Sequence, residues 1–392
     1  MMKDVPLSAA TETTDARRSV VLDVLRVAAI SLVLARHSLR PFWKDLNEPL
    51  LPVGPFDFAP MLLNGWIGVD LFFVLSGFLI THQLIPVHSL SGPARQEKIL
   101  KYLKKRFFRI APAYYLVLTL TCLGLFAGFP DVKGETGFRY LYHLLFLNDY
   151  LPSDIVPAFW SLAIEMKFYL LVPLLVLFLL RCDLRKRFLI GGGLLLGVIG
   201  LRVLSAIYLY PDIHDYNSYF PVMRNRFHLT LDGLLWGMIC ALFWNDTRLR
   251  AVFQKPQISA IFLASGVAVI FALIAPAPIV DIQVSLFDKT LLPAFISAGF
   301  AMILLGALGR WGHYTSSGKL AVTKLALLSY SIYLIHMQLV RPAYAVGETL
   351  FHPATPVTQW LATLLPLVVM SVVGAAAIYY AVERPFIRWA KR

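Results

Sequence analysis

Charge is scarce in this chain. Asp, Glu, Lys and Arg make up 15% of its 392 residues, while 58% are hydrophobic. A soluble domain carries about 25% charged residues. The shortage excludes an ordinary water-soluble fold and points to an integral membrane protein. Acids are scarcer than bases, 23 against 36, for a formal net charge of +13. In a soluble protein that surplus would suggest nucleic acid. Here the basic residues sit in short stretches between apolar runs, where orientation in a membrane accounts for them, so nucleic acid is not an expected partner. Cysteine is nearly absent. Cys122, Cys182 and Cys240 lie in or beside apolar segments without paired spacing, which excludes a disulfide framework and a cysteine metal motif. No metal is expected.

What remains is a succession of apolar runs. Ten are long enough to read as helices, near 20–38, 61–85, 110–128, 157–180, 188–209, 227–244, 256–276, 289–309, 322–345 and 359–381. Asp232 sits inside the sixth, and Tyr140–Leu147 is an apolar piece too brief to span. The expected fold is an all-α integral membrane bundle of about ten transmembrane helices. Its parts are a polar cytoplasmic tail over 1–19, a membrane domain over 20–382 and a short basic cytoplasmic tail over 383–392. One set of connections collects Lys3, Arg17, Arg18 and the run from Arg95 to Arg109, then Arg181, Arg185, Lys186 and Arg187; the alternate set holds few cations, Lys44 and Lys133 among them. Positive charge marks the cytoplasmic side, so both termini are expected there. Asp23 and Arg26 interrupt the first apolar run and no convincing small-residue cleavage site follows, so it reads as a retained helix rather than a signal peptide.

Ionisable residues inside such spans are costly and point to function. The first helix reads VVLDVLRVAAISLVLARHSLRP, with Arg26 and His37 eleven residues apart. They share one face but lie about 16 Å apart along the axis, so they line one groove without touching. The second helix places Asp70 in GWIGVDLFFVLSGFLIT, where Gly65, Gly68 and Gly77 admit close approach of a backbone or a thin ligand. Ser161 and Glu165 are one turn apart in the fourth, with Glu165 able to balance Arg26 or Lys167 instead of serving chemistry. Ser329, Tyr333 and His336 form a polar stripe on the ninth. Arg106 and Arg109, with Lys104 and Lys105 alongside, form an inner-face cluster whose guanidinium forks suit phosphate; anionic lipid headgroups are the alternative occupant.

Taken together these stretches resemble the acyltransferase-3 family of integral membrane O-acyltransferases. The resemblance runs from Leu22 to Trp389. It rests on the Arg-x10-His pattern of Arg26 and His37, GVDLFFVLSGFLIT, and Arg106-x-x-Arg109 followed by IAPAYY. FWSLAIEMKFY around Glu165, SYSIYLIH and the closing ERPF from Glu383 to Phe386 complete it. The resemblance implies transfer of an acyl group, often acetyl, from cytoplasmic acyl-CoA to an acceptor hydroxyl on a glycan, glycolipid or metabolite. It makes His37 essential, with Glu165, Asp70 and Arg26 as further catalytic candidates. It assigns the donor to Arg106 and Arg109, joined by Lys105 and Tyr114. Trp160, Ser161, Tyr333 and His336 form the expected acceptor wall. Many relatives carry an added extracytoplasmic hydrolase-like domain, and this chain is expected to be a stand-alone form. The implied location is the bacterial inner membrane, among lipids, with a homo-oligomer left open. The residues alone also fit a proton-coupled secondary transporter, in which buried His, Asp and Glu relay protons.

Overall fold

The computed structural model describes residues 18–42, 50–54, 56–126, 136–151, 155–275, 284–312, 314–316 and 321–392. Residues 1–17 of the expected tail, and the loop cations Lys3, Arg17, Lys44 and Lys133, lie outside them. The described chain is almost wholly helical. Ten principal helices follow one another: α1 (Val20–Leu39), α2 (Ile67–Leu84), α3 (Gly92–Cys122), α4 (Trp160–Leu180) and α5 (Leu184–Leu204), then α6 (Asp232–Asn245), α7 (Pro256–Ile274), α8 (Leu292–Trp311), α9 (Ala321–Phe351) and α10 (Pro356–Ile378). Each falls on one of the ten apolar runs. Among the described residues six segments are long and apolar enough to cross a membrane by length and composition, those built on α2, α4, α5, α7, α8 and α10. The other four differ in kind. Helix α6 has 14 residues, and α1, α3 and α9 carry charged side chains along their length. The fold is that of an all-α membrane protein.

Helix α2 starts six residues later than expected, after a separate short helix Ala59–Leu63, and α9 runs six residues further, to Phe351. Two other boundaries differ for a clear local reason. Pro112 suits the first turn of a helix starting near 110, yet α3 begins at Gly92 and runs through it. The basic stretch is rich in Lys, Arg and Leu, all good helix formers, and Pro93 serves as the initiating proline. Pro112 then removes only one internal hydrogen bond. The sixth helix starts at Asp232 rather than enclosing it. The carboxylate thereby lies at the positive end of the helix dipole. The apolar piece near Tyr140 forms a short helix, Thr136–Leu144.

The glycines of the second apolar run decide how α2 sits. A Cβ on Gly65 would lie 2.1 Å from the Leu32 carbonyl oxygen, and one on Gly68 would lie 2.3 Å from that of Ala29, both on α1. On the opposite flank a Cβ on Gly77 would meet the Leu234 carbonyl of α6 at 2.1 Å, and Gly237 answers with the same distance to Val74. These glycines admit backbones. Helix α2 is therefore wedged between α1 and α6, while α9 packs on α1 and α10. Before α1, Arg18–Ser19 pairs antiparallel with Thr315–Ser316, which precedes α9. The two helices so start at one end of the bundle and run parallel.

Candidate active site

Because α1 and α9 start together, equal path lengths reach equal depth. His37 lies about 26 Å along α1 and His336 about 22 Å along α9 at the α-helical rise. Their rings meet, with centroids 5.0 Å apart and planes inclined by 53°. His336 is fully buried, and its Nδ1 lies 2.7 Å from the Tyr333 carbonyl oxygen one turn earlier. A carbonyl only accepts, so that nitrogen carries the proton and neutral His336 keeps a bare lone pair on Nε2. Neither His336 Nε2 nor His37 Nδ1 has a hydrogen-bond partner among the described residues.

Tyr333 extends the site inward. Its hydroxyl donates to the Ala158 carbonyl at 2.8 Å and meets Ser161 Oγ at 2.7 Å. Tyr333 packs its ring against Phe72 of α2 and against His336. One turn further along α4, Glu165 accepts a hydrogen bond from Ser76 of α2, and Tyr169 follows another turn along the same helix. Beyond Tyr169 comes Arg106, which donates to Gln83 at 2.5 Å and lies over the rings of Tyr102 and Tyr169 at 5.7 and 5.5 Å. From Ser161 to Tyr169 is eight residues, about 12 Å of helix. The side chains of α1, α2, α3, α4 and α9 thus build one polar column through an otherwise apolar bundle, with histidines at one end and arginine at the other.

The remaining candidates sit elsewhere. Asp70 is buried and paired with Arg224 at 2.7 Å, whose guanidinium lies 5.1 Å from the rings of both Trp66 and Trp160. On α2, Asp70 and Ser76 are six residues apart, a turn of about 240° beyond whole revolutions. Asp70 therefore faces α6 while Ser76 faces the column. Arg26 pairs with Asp23 at 2.9 Å within α1. Lys167 binds Asp149 and the Phe146 carbonyl, both at 2.5 Å, so its ion pair is with Asp149 and not with Glu165. Tyr114 is buried and its hydroxyl engages His143 Nδ1 at 2.8 Å, away from the basic end. Trp160 stacks edge-on with Phe73 and Phe220 rather than joining Tyr333.

At the basic end the two arginines part. Arg109 lies 3.9 Å from Glu383, which is buried and hydrogen-bonded by Ser331. Lys104 lies over the Trp389 ring at 4.5 Å. Lys105 is largely exposed, and the desolvation of the part that packs on the protein, then repulsion from Lys101, Lys391, Lys98 and Arg106, holds its ammonium below the usual lysine range. A cluster of like charges is relieved by binding an anion.

The family described as an acyltransferase domain matches residues 20–380, nearly the whole chain. The chain belongs to the acyltransferase-3 family. Among relatives in that family, the peptidoglycan O-acetyltransferase OatA of Listeria monocytogenes is 26% identical over 386 residues, covering 93% of this chain and 54% of its own length. Nodulation protein 10 of Rhizobium leguminosarum is 24% identical over 348 residues, covering 83% of this chain and 84% of its own length. The O-acetyltransferase OatA of Staphylococcus aureus is 30% identical over 231 residues, which are 55% of this chain and 36% of the relative. The chain thus spans about half the length of the Listeria relative it matches. No solved structure matches it.

Several residues of the column, and the partner of Asp70 outside it, are not legible in the sequence. Ser76, Gln83 and Tyr169 have no charge to draw attention, and only their partners across the bundle reveal them. Arg224 reads as a loop cation. The one signal for it is that a carboxylate such as Asp70, buried in a membrane helix, demands a cation.

Proposed function

We propose that this chain is a membrane O-acyltransferase. It moves an acyl group, in the first instance acetyl, from acyl-CoA at the cytoplasmic face of a bacterial inner membrane to a hydroxyl of a carbohydrate, glycolipid or metabolite. The ten helices span, and both termini are cytoplasmic. The observation that carries the reading is the polar column linking Arg106 to His37 and His336. Membership of the family and the O-acetyltransferase names of the relatives support it. Arg106 and Lys105 bind phosphate at the coenzyme's nucleotide end, guanidinium forks being suited to that anion. The pantetheine arm then follows the column past Glu165 and Ser161, bringing the thioester to the histidine end. His37 acts there as general base. It takes the proton of the acceptor hydroxyl as that oxygen bonds to the acyl carbon. The carbon–sulfur bond breaks, and the thiolate that leaves takes that proton from His37 to give the free coenzyme thiol. Tyr333 and Ser161 wall the space beside it.

The test is mass spectrometry of envelope glycans, lipids and secreted metabolites from cells with the chain, without it, and with His37→Ala. The expected result is a hydroxyl that gains one acyl group only with the wild-type chain. A proton-coupled transporter would modify no hydroxyl, and the same spectra would then be identical. Sidedness has its own check. A cysteine at position 37 that labels only from the cytoplasm would overturn delivery through the column.

A further inference from the structure

Resting on the acyl-transfer reading, a second nitrogen at the histidine end remains without a task. General base catalysis needs one lone pair, and an alcohol has one proton to give. His37 takes it. His336 Nε2 is nonetheless fully buried, beside the His37 ring at 5.0 Å between centroids, and has no hydrogen-bond partner among the described residues. Its tautomer is set by the Tyr333 carbonyl 2.7 Å from Nδ1, so in the neutral ring Nε2 is an acceptor and nothing else. An acceptor of this kind cannot be satisfied by the oxygen of the attacking hydroxyl, whose proton is already directed to His37. It needs another O–H or N–H. A bound molecule that covers this nitrogen without supplying a donor incurs its desolvation cost, so the site discriminates between molecules that bring a donor and molecules that do not.

We propose that His336 is a positioning residue that accepts a hydrogen bond from a second hydroxyl of the acceptor, adjacent to the one acylated. The substrate class follows from this geometry. Rings in contact are reached together by oxygens on neighbouring carbons of one molecule, so the acceptor is a vicinal diol, as in a sugar ring or polyol, and not an isolated alcohol. Tyr333 contributes twice, by its carbonyl to the tautomer and by its hydroxyl to the Ser161 contact.

The experiment takes the acylated product found by mass spectrometry and locates the new ester. It then measures acetyl transfer by the purified, membrane-reconstituted full chain to that acceptor and to the analogue lacking the adjacent hydroxyl. Wild type and His336→Asn are compared. Asn retains an N–H able to reach the Tyr333 carbonyl but offers nothing at the Nε2 position, so a purely structural role survives the change. Acetyl-CoA binding, measured separately by calorimetry, should be unaltered and certifies folding. The expected results are an ester beside a free hydroxyl and a roughly tenfold wild-type preference for the diol in kcat/KM, the size of one hydrogen bond. The effect should fall mainly in KM, and the preference should vanish in His336→Asn. An ester on an isolated hydroxyl, or a preference undiminished in His336→Asn, would overturn the assignment while leaving acyl transfer intact. No ester with the wild-type chain would remove both.

Discussion

The two sides of helix α2 carry similar side chains to opposite ends. Facing α6, Asp70 meets Arg224 and, nearby, Asp232 meets Arg202, each carboxylate answered by a buried guanidinium. Arg224 is further enclosed by two indole rings. Facing α4 and α9, Ser76 and Phe72 border a column whose terminal nitrogens, on His37 and His336, are answered by no described residue. On the first side each carboxylate is neutralised by an ion pair, although Arg224 Nη1 and Arg202 Nε have no hydrogen-bond partner among the described residues. On the second side two histidine nitrogens lie in neighbouring rings with no ion pair among the described residues. An ionisable residue inside a membrane helix therefore signals function only after its neighbours have been counted. Asp70 and His37 look alike in one dimension and separate in three.

This contrast is open to breakage by substitution. The largest effect on turnover belongs to His37→Ala, expected to cut kcat by about 10²–10⁴ while acetyl-CoA affinity and yield stay near wild type. Near-normal turnover would dissolve the distinction between the two sides. The largest effect on stability belongs to Asp70→Ala. It strands the Arg224 cation in the interior and should cost about 3–5 kcal/mol, read as a lowered thermal midpoint in detergent, with activity per folded molecule preserved. Pairing it with Arg224→Met should recover much of that loss. If Asp70→Ala were stable and inactive, the carboxylate would belong with the chemistry instead.

Smaller effects sharpen the picture at the basic end. Arg106→Ala should weaken acetyl-CoA binding by roughly tenfold, the loss of one charge-assisted contact. Arg109→Ala should act instead on stability, by about 1–3 kcal/mol, because it leaves the buried Glu383 without its cation. Equal loss of donor affinity in both variants would return the pair to a single phosphate grip. The smallest change is expected of Ser161→Ala. The Tyr333 hydroxyl keeps the Ala158 carbonyl, so the loss should stay within about 1 kcal/mol in kcat/KM.

Much of the architecture was legible in one dimension. Helix positions follow from the apolar runs, because a helix satisfies its own backbone and needs only length and hydropathy to be recognised. Gly65, Gly68 and Gly77 were readable as close-approach positions, and the stripe of Tyr333 and His336 was readable from its spacing. Pro112 misled, since a proline is equally at home starting a helix and, at the loss of one hydrogen bond, inside one.

By itself, then, the sequence determined that this is a helical membrane chain of the acyltransferase-3 family, with histidine, carboxylate and arginine held in apolar surroundings. Hydrophobic periodicity and local motif spacing are properties of neighbouring residues, and they survive without a fold. Only the tertiary structure decided that His37 meets His336, that Asp70 belongs to Arg224, and that Arg106 and Arg109 point to different partners. Those pairings join residues up to 299 positions apart, and hydrogen bonds and charges act over a few ångströms of space whatever the distance along the chain.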